Sequence, residues 1–105
     1  MNTAATAHTV TASSYLFVPA INIERVAKAF ARGADAVIID LEDAVSESVK
    51  TQSRQNVAAY LNGADAKPIW LRINAATSSE QLTDINLIHS LPRAAVDNII
   101  GVVLP

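Results

Sequence analysis

The sequence has no cysteine, only 3 glycines and 5% aromatic residues. Without cysteine there is no disulfide framework, no thiolate metal site and no thiol nucleophile. This fits a reducing compartment, and we expect a cytoplasmic protein. The glycines stand singly at Gly33, Gly63 and Gly101, so the chain has no glycine-rich loop for phosphate. No apolar run approaches the roughly 18 to 20 residues of a membrane-spanning helix.

Charged residues are also scarce: 8 are basic and 10 acidic, for a formal net charge of −2. This balance gives no electrostatic reason to expect nucleic acid or an anionic membrane as a partner. A hydrophobic fraction of 50% argues against an intrinsically disordered chain. A charged fraction of 17% is low for a small domain, whose surface is large relative to its core. We therefore expect something other than water to cover part of the chain.

After a predicted flexible tail at residues 1–14, the chain alternates between short apolar runs and helical patterns, which predicts one domain over residues 15–105. The predicted strands are Tyr15–Val18, Ala36–Ile39, Ile69–Ile73 and Ile99–Leu104. Near-continuous apolar strands are typical of parallel sheets buried on both faces. The fold class is therefore α/β, with the order βαβαβαβ.

Three helices are predicted between these strands. The first follows Asn22 as N-cap and ends at Gly33, the second covers Ser46–Leu61, and the third opens on capping boxes at Thr77 and Ser78. The apolar faces of the three predicted helices are Ile23, Val26, Ala27 and Phe30; Val49, Val57, Tyr60 and Leu61; and Leu82, Ile85 and Ile88.

Functional groups of parallel sheets collect at the carboxyl ends of the strands. Asp40, Glu42 and Asp43 follow the second strand, where a divalent metal, a metal-bound water or Arg72 would hold them ionised. Spacing alone supports equally that Asp40 caps the loop while the other two are solvated before the helix. Arg72 lies within an apolar strand and needs an anionic partner, either this acidic cluster or a ligand such as a carboxylate or enolate.

Several segments together resemble the start of the HpcH/HpaI aldolase and citrate lyase β-subunit family. They are Leu16–Pro19, Glu24–Ala29, Gly33–Val45, Arg72–Asn74 and Val102–Pro105, in the family's order and at suitable distances. Gly33–Val45 is the most specific of them, and citrate lyase β-like members are the nearer match. The resemblance implies the first half of a TIM (β/α)8 barrel. It also implies a Mg²⁺-dependent carbon–carbon lyase acting on an acyl-CoA thioester, such as citryl-CoA or malyl-CoA, or on a keto acid.

The resemblance also assigns roles to particular residues. Arg72 would grip the substrate and polarise its carbonyl or carboxylate as an enolate develops. Glu42 and Asp43 would lie near the metal, where they hold its waters or orient Arg72. Phe17 and Lys28 would lie near the CoA portion of the substrate. The family's direct Mg²⁺ ligands, a Glu and an Asp on later strands, are expected downstream of residue 105, with none in this chain.

Some features depart from the family pattern. Ala20 and Ile21 replace a glycine and a polar residue, and residues 12–14 lack the usual basic residue, which weakens the prediction of an anionic cofactor near the first strand. Because a whole barrel needs about 250 residues, we expect a fragment with an incomplete site, which associates through unpaired barrel edges or as a homo-oligomer. The alternatives are a non-catalytic interaction or receiver-like module, or a subunit that completes a barrel with a partner.

Overall fold

The computed structural model describes residues 14–44 and 46–105, so the predicted tail lies outside the described residues except for Ser14. Ser14 is tied to Asp35 by two hydrogen bonds, of 3.2 and 3.0 Å. The strands are β1 Tyr15–Pro19, β2 Ala36–Asp40, β3 Ile69–Arg72 and β4 Ile99–Val103. The helices are α1 Arg25–Ala31, α2 Glu47–Leu61, α3 Glu80–Ser90 and α4 Arg93–Val96, of which the short α4 was not predicted.

The four strands form one parallel sheet in the order β1-β2-β3-β4. Each strand is therefore followed along the chain by its neighbour in space, as in a (β/α) barrel. A receiver-like module needs the flavodoxin-like order 2-1-3-4-5, in which the first strand lies inside the sheet. The receiver-like alternative is therefore wrong, and the predicted α/β class with parallel strands is confirmed.

The core lies between one face of the sheet and the helices. Val18, Ile39 and Leu71 are register partners on adjacent strands and are at most 4% exposed. Val57 and Leu61 of α2 belong to the same buried cluster. Apolar packing of this kind supplies the main stabilisation of the fold, and it fixes the strand ends relative to one another.

The opposite face carries the register row Phe17, Ile38, Trp70 and Gly101. A Cβ at Gly101 would lie 2.6 Å from Trp70 Cζ3, so glycine leaves the room that the indole occupies. The sequence predicted buried strands throughout, which holds for β2 but not for the two outer strands. In β1, Phe17 is 52% exposed, and Ile100 of β4 is 50% exposed, because each outer strand has one neighbour among the described residues.

The start of α1 differs from the prediction. Residues 20–22 form a short 3-10 turn, and α1 begins at Arg25, so Asn22 is not its N-cap. The predicted end is confirmed. Gly33 has a φ of 90°, and its N–H donates to the carbonyl of Phe30 while the N–H of Ala34 donates to that of Ala29. Glycine adopts this left-handed backbone without the Cβ penalty of other residues.

The start of α2 is as predicted, since Ser46 Oγ accepts a hydrogen bond from the N–H of Val49 at 3.3 Å. The capping boxes predicted for α3 are wrong. Its N-cap is Ser79, which makes no side-chain cap bond. The predicted apolar face of α3 is also wrong in part, because Leu82 is 64% exposed while Asp84 is fully buried.

Candidate active site

Two charged side chains meet at the carboxyl edge of the sheet. Asp40 ends β2 and Arg72 ends β3, and the two residues are register partners. Arg72 Nε donates to Asp40 Oδ1 at 3.1 Å, and Arg72 Nη2 donates to Asp40 Oδ2 at 2.6 Å. Asp40 is buried, whereas the Arg72 side chain is 26% exposed. Two parallel charge-assisted hydrogen bonds fix the plane of the guanidinium as well as its position.

The same carboxylate shapes the loop after β2. Asp40 Oδ1 accepts the backbone N–H of Glu42 at 2.9 Å, and the N–H of Leu41 donates to the carbonyl of Arg72 at 2.9 Å. A side chain that accepts an N–H two residues ahead is a turn-forming contact. Asp40 thus caps the loop and also pairs with Arg72, so both interpretations of this residue from the sequence hold.

Glu42 and Asp43 differ in how they meet Arg72. Glu42 Oε1 lies 3.5 Å from Arg72 Nη2, while Asp43 is exposed and acts on the guanidinium through its charge alone. The hydrogen bonds to Asp40 raise the pKa of Arg72 against the lowering effect of burial, and the neighbouring negative charges add to the rise. Arg72 is therefore a permanent cation. Asp40, its main partner, was absent from the predicted catalytic set, and the strand register is the signal that identifies it.

Phe17 covers one face of the Arg72 guanidinium, with its ring centroid 5.0 Å from Cζ. This is a cation–π distance. Arg72 uses Nε and Nη2 for its bonds to Asp40. Within the described part of the chain, no protein acceptor lies within hydrogen-bond distance of Nη1. The guanidinium is thus fixed along one edge and keeps donors for a ligand along another.

Phe17 also lines a pocket of about 390 Å³ between β1 and α1. Lys28, the other residue predicted to lie near the CoA portion, lines the same pocket. Arg25 and Arg32 of the same helical segment complete a cationic wall. The structure therefore brings Phe17 and Lys28 together and connects this pocket to Arg72 through the Phe17 ring.

The described residues do not assemble a magnesium site. Mg²⁺ requires several oxygen ligands in near-octahedral geometry. In residues 14–44 and 46–105 no group of three or more acidic or histidine side chains is arranged to hold a metal ion. Asp40 has both oxygens engaged, by Arg72 and by the N–H of Glu42.

No described helix is long and apolar enough to cross a membrane.

Parallel strands in sequential order, each connected to the next by a helical segment, are the arrangement of part of a (β/α) barrel. The sequence model of the HpcH/HpaI aldolase/citrate lyase family matches residues 13–100. The chain belongs to this family of aldolase and citrate lyase type lyases, which confirms the predicted family.

Individual relatives agree with this assignment. A citrate lyase subunit beta-like protein from Mycobacterium tuberculosis (strain CDC 1551 / Oshkosh) is 40% identical over 74 residues, which are 70% of this chain and 26% of the relative. The crystal structure of CitE from M. tuberculosis with magnesium and acetate is 33% identical and has a TM-score of 0.70. The match covers 93% of this chain and 38% of that one. CitE with magnesium, acetoacetate and coenzyme A is 30% identical over 90% of this chain and 39% of that one, with a TM-score of 0.63. The chain thus spans between about a quarter and two fifths of these relatives.

Proposed function

We propose that this chain carries the substrate-gripping part of a carbon–carbon lyase site of citrate lyase β-subunit type. Its substrate is an acyl-CoA thioester such as citryl-CoA or malyl-CoA, or a keto acid. The observation that carries the proposal is the hydrogen bonding of the Arg72 guanidinium. Asp40 fixes its Nε and Nη2 edge, and Nη1 has no acceptor among the described residues.

The chemistry follows from this geometry. Cleavage of a carbon–carbon bond beside a carbonyl leaves an electron pair that spreads onto the carbonyl oxygen as an enolate. A preoriented guanidinium stabilises that oxygen as its charge develops. In this proposal Arg72 binds the substrate oxygen, Asp40 holds the guanidinium plane, and Glu42 limits its rotation from the outer side. Asp43 adds negative potential that draws a cation to this edge of the sheet.

We further propose that Phe17 and Lys28 bind the CoA portion of a thioester substrate. Three cationic side chains around one pocket suit the phosphates of that cofactor. CitE from M. tuberculosis has been solved with coenzyme A and magnesium, which supports the same ligand class here. The described residues do not form a Mg²⁺ site, so we propose that its ligands come from the region of the relatives that this chain does not span.

A second role is association through the outer strands of the sheet. Leu16 and Phe17 of β1 and Ile100 and Val102 of β4 are between 42% and 52% exposed. Exposed apolar strands at sheet edges favour pairing with another chain. We propose that this chain forms a homo-oligomer, or completes a barrel with a partner. Sedimentation at high concentration should show species larger than a monomer, and a clean monomer would contradict this role.

The proposed ligand site is tested by calorimetric titration of oxaloacetate into the wild-type chain and Arg72→Met. Arg93 is exposed on α4, so Arg93→Met is a matched control. Loss of charged hydrogen bonds, worth about 1.5 to 3 kcal/mol, predicts at least about tenfold weaker binding in Arg72→Met alone. Equal affinities in the two variants would refute the proposal. Because the described residues do not assemble a magnesium site, we expect no cleavage of citryl-CoA or malyl-CoA by this chain alone.

For the CoA portion, coenzyme A replaces oxaloacetate in the same titration. Lys28→Met should weaken binding, whereas Lys67→Met should not, because Lys67 lines a different pocket beside Phe30. Equal binding by the two variants would contradict the role of Lys28.

A further inference from the structure

A second polar cluster lies behind the strand end that carries Arg72. Asp84 of α3 is 0% exposed. Its Oδ2 accepts the backbone N–H of Asn74 at 2.8 Å and Asn74 Nδ2 at 2.7 Å, and its Oδ1 accepts Arg54 Nε at 2.8 Å. Arg54 also pairs with Glu80. The proposed function uses none of these residues, yet a fully buried carboxylate requires partners of this kind.

The contacts of Asp84 set the orientation of the Asn74 side chain. Because Nδ2 donates to the carboxylate, Oδ1 is turned the other way, where it accepts a hydrogen bond from Lys50 Nζ at 2.6 Å. A flipped amide would place its oxygen against a carboxylate and its nitrogen against an ammonium. Asp84 therefore selects the amide orientation that holds Lys50.

Lys50 lies at the same edge of the sheet as Arg72. Helix α2 begins at Glu47, after the loop that leaves the carboxyl end of β2, and Lys50 lies in its first turn. Asn74 follows Arg72 by two residues, which places their Cα atoms at most about 7 Å apart even in a fully extended chain. The intervening Ile73 is held by its N–H to the carbonyl of Val103 at 3.2 Å. The backbone between the two sites is thus fixed.

The Lys50 ammonium has unused binding capacity. It offers three donors, of which one is accounted for by the neutral amide of Asn74. Lys50 is half-buried, and no carboxylate of the described residues lies within ion-pair distance of it. Arg72, in contrast, already faces Asp40 and Glu42. A fixed cation with only a neutral partner is suited to bind an anion.

We propose that Lys50 is a second anion-binding group of the candidate site and that Asp84 is a positioning residue, which holds Lys50 through Asn74. This inference rests on the proposed function, since its ligand is the substrate that Arg72 grips. The site then takes a dicarboxylate, with one carboxylate on Arg72 and the other on Lys50.

The role of Lys50 is tested with a dicarboxylate and a monocarboxylate. Loss of one charged hydrogen bond predicts about tenfold weaker binding of oxaloacetate to Lys50→Met, with acetoacetate affinity unchanged. Lys67→Met is the control and should bind both like the wild type. If Lys50→Met binds oxaloacetate normally, or loses both ligands equally, the inference is refuted. If instead Arg72→Met retains both ligands, the proposed function fails.

The role of Asp84 is tested without any ligand, by the ¹⁵N ammonium resonance of Lys50, which requires a persistent hydrogen bond. Asp84→Asn and Asn74→Ala should each abolish this resonance, and Asn74→Ala leaves the bond between Arg54 and Asp84 in place. Glu80→Gln removes the outer partner of Arg54 and should preserve the resonance. Survival of the resonance in Asp84→Asn or Asn74→Ala, or its loss in Glu80→Gln, would overturn the positioning role.

Discussion

Replacing Arg54 with methionine should destabilise the fold severely. Methionine keeps an apolar stem but removes the cation that faces Asp84. The Arg54 side chain is 12% exposed and that of Asp84 is 0% exposed, so water screens the pair little. Burial is the largest single influence and lowers the pKa of Arg54, but the hydrogen bonds to Glu80 and Asp84, together with the negative charges of these two residues, raise it above its ordinary value. Arg54 is thus charged in the folded state, and its loss leaves a buried carboxylate without a counter-ion.

The magnitude follows from this burial. Removing one partner of a buried ion pair costs about 3 to 5 kcal/mol. Two donors from Asn74 remain on Asp84 and offset part of the loss, so we expect the lower end, about 3 kcal/mol. Folded domains are stable by only about 5 to 15 kcal/mol. With a urea dependence of about 1 to 3 kcal/mol per molar, the midpoint should fall by roughly 1 to 3 M.

Urea unfolding of a double-mutant cycle separates the charge effect from lost packing. In an Asp84→Asn background Arg54→Met no longer leaves a buried carboxylate without a counter-ion, so it should cost about 1 kcal/mol rather than about 3. Glu80 is 22% exposed, so Glu80→Gln should cost no more than about 1 kcal/mol. The reasoning is refuted if Arg54→Met costs less than about 1 kcal/mol, or if the two substitutions are additive.

Three further substitutions test other contacts. Gly101→Ala should destabilise the fold by about 1 to 3 kcal/mol in urea, because its Cβ would lie 2.6 Å from the Trp70 ring. Burial raises the pKa of Tyr60, although the hydrogen bond between its hydroxyl and the backbone of Lys67 has the opposite effect. The neutral Tyr60 hydroxyl therefore contributes fully to stability below pH 10.0, the pKa of tyrosine in the unfolded chain. This contribution is lost as the pH rises through the higher pKa of the folded state. Tyr60→Phe should show a smaller drop in Tm between pH 9 and pH 11, and an equal drop would contradict this. Ser46→Ala should cost about 1 kcal/mol of unfolding free energy by loss of the α2 cap, and no change would argue against it.

The parts of the fold that local patterns determine could be predicted from the sequence. Apolar runs located all four strands, and Ser46 and Gly33 marked helix ends through interactions with their immediate neighbours. The start of α3 was not predictable in this way, because capping-box spacing also occurs at serines that only support a turn. Ser78 is such a case, since its Oγ accepts the N–H of Glu80 at 3.1 Å without capping the helix.

The charged contacts join residues that are distant in the sequence, which explains why the sequence alone did not predict them. Spacing alone could not show that Asp40 pairs with Arg72 as well as capping its loop, because the pair depends on the register of β2 with β3. A carboxylate such as Asp84 in a helical pattern ordinarily indicates the solvated face. Its burial depends on Arg54, which is 30 residues away in the sequence.

The two arginine–carboxylate pairs differ in solvent exposure, and this difference decides which arginine a ligand can reach. Arg54 is enclosed between α2 and α3 with two carboxylate partners, so any ligand would have to open the core to reach it. Arg72 lies on the open face of the sheet beside the half-exposed Phe17, so its free donors reach solvent while Asp40 holds the guanidinium from the buried side. A ligand anion that replaces water there does not need to break the Asp40 pair. Because the desolvation of Asp40 is already offset within the folded chain, ligand binding at Arg72 needs to desolvate only the remaining donor edge.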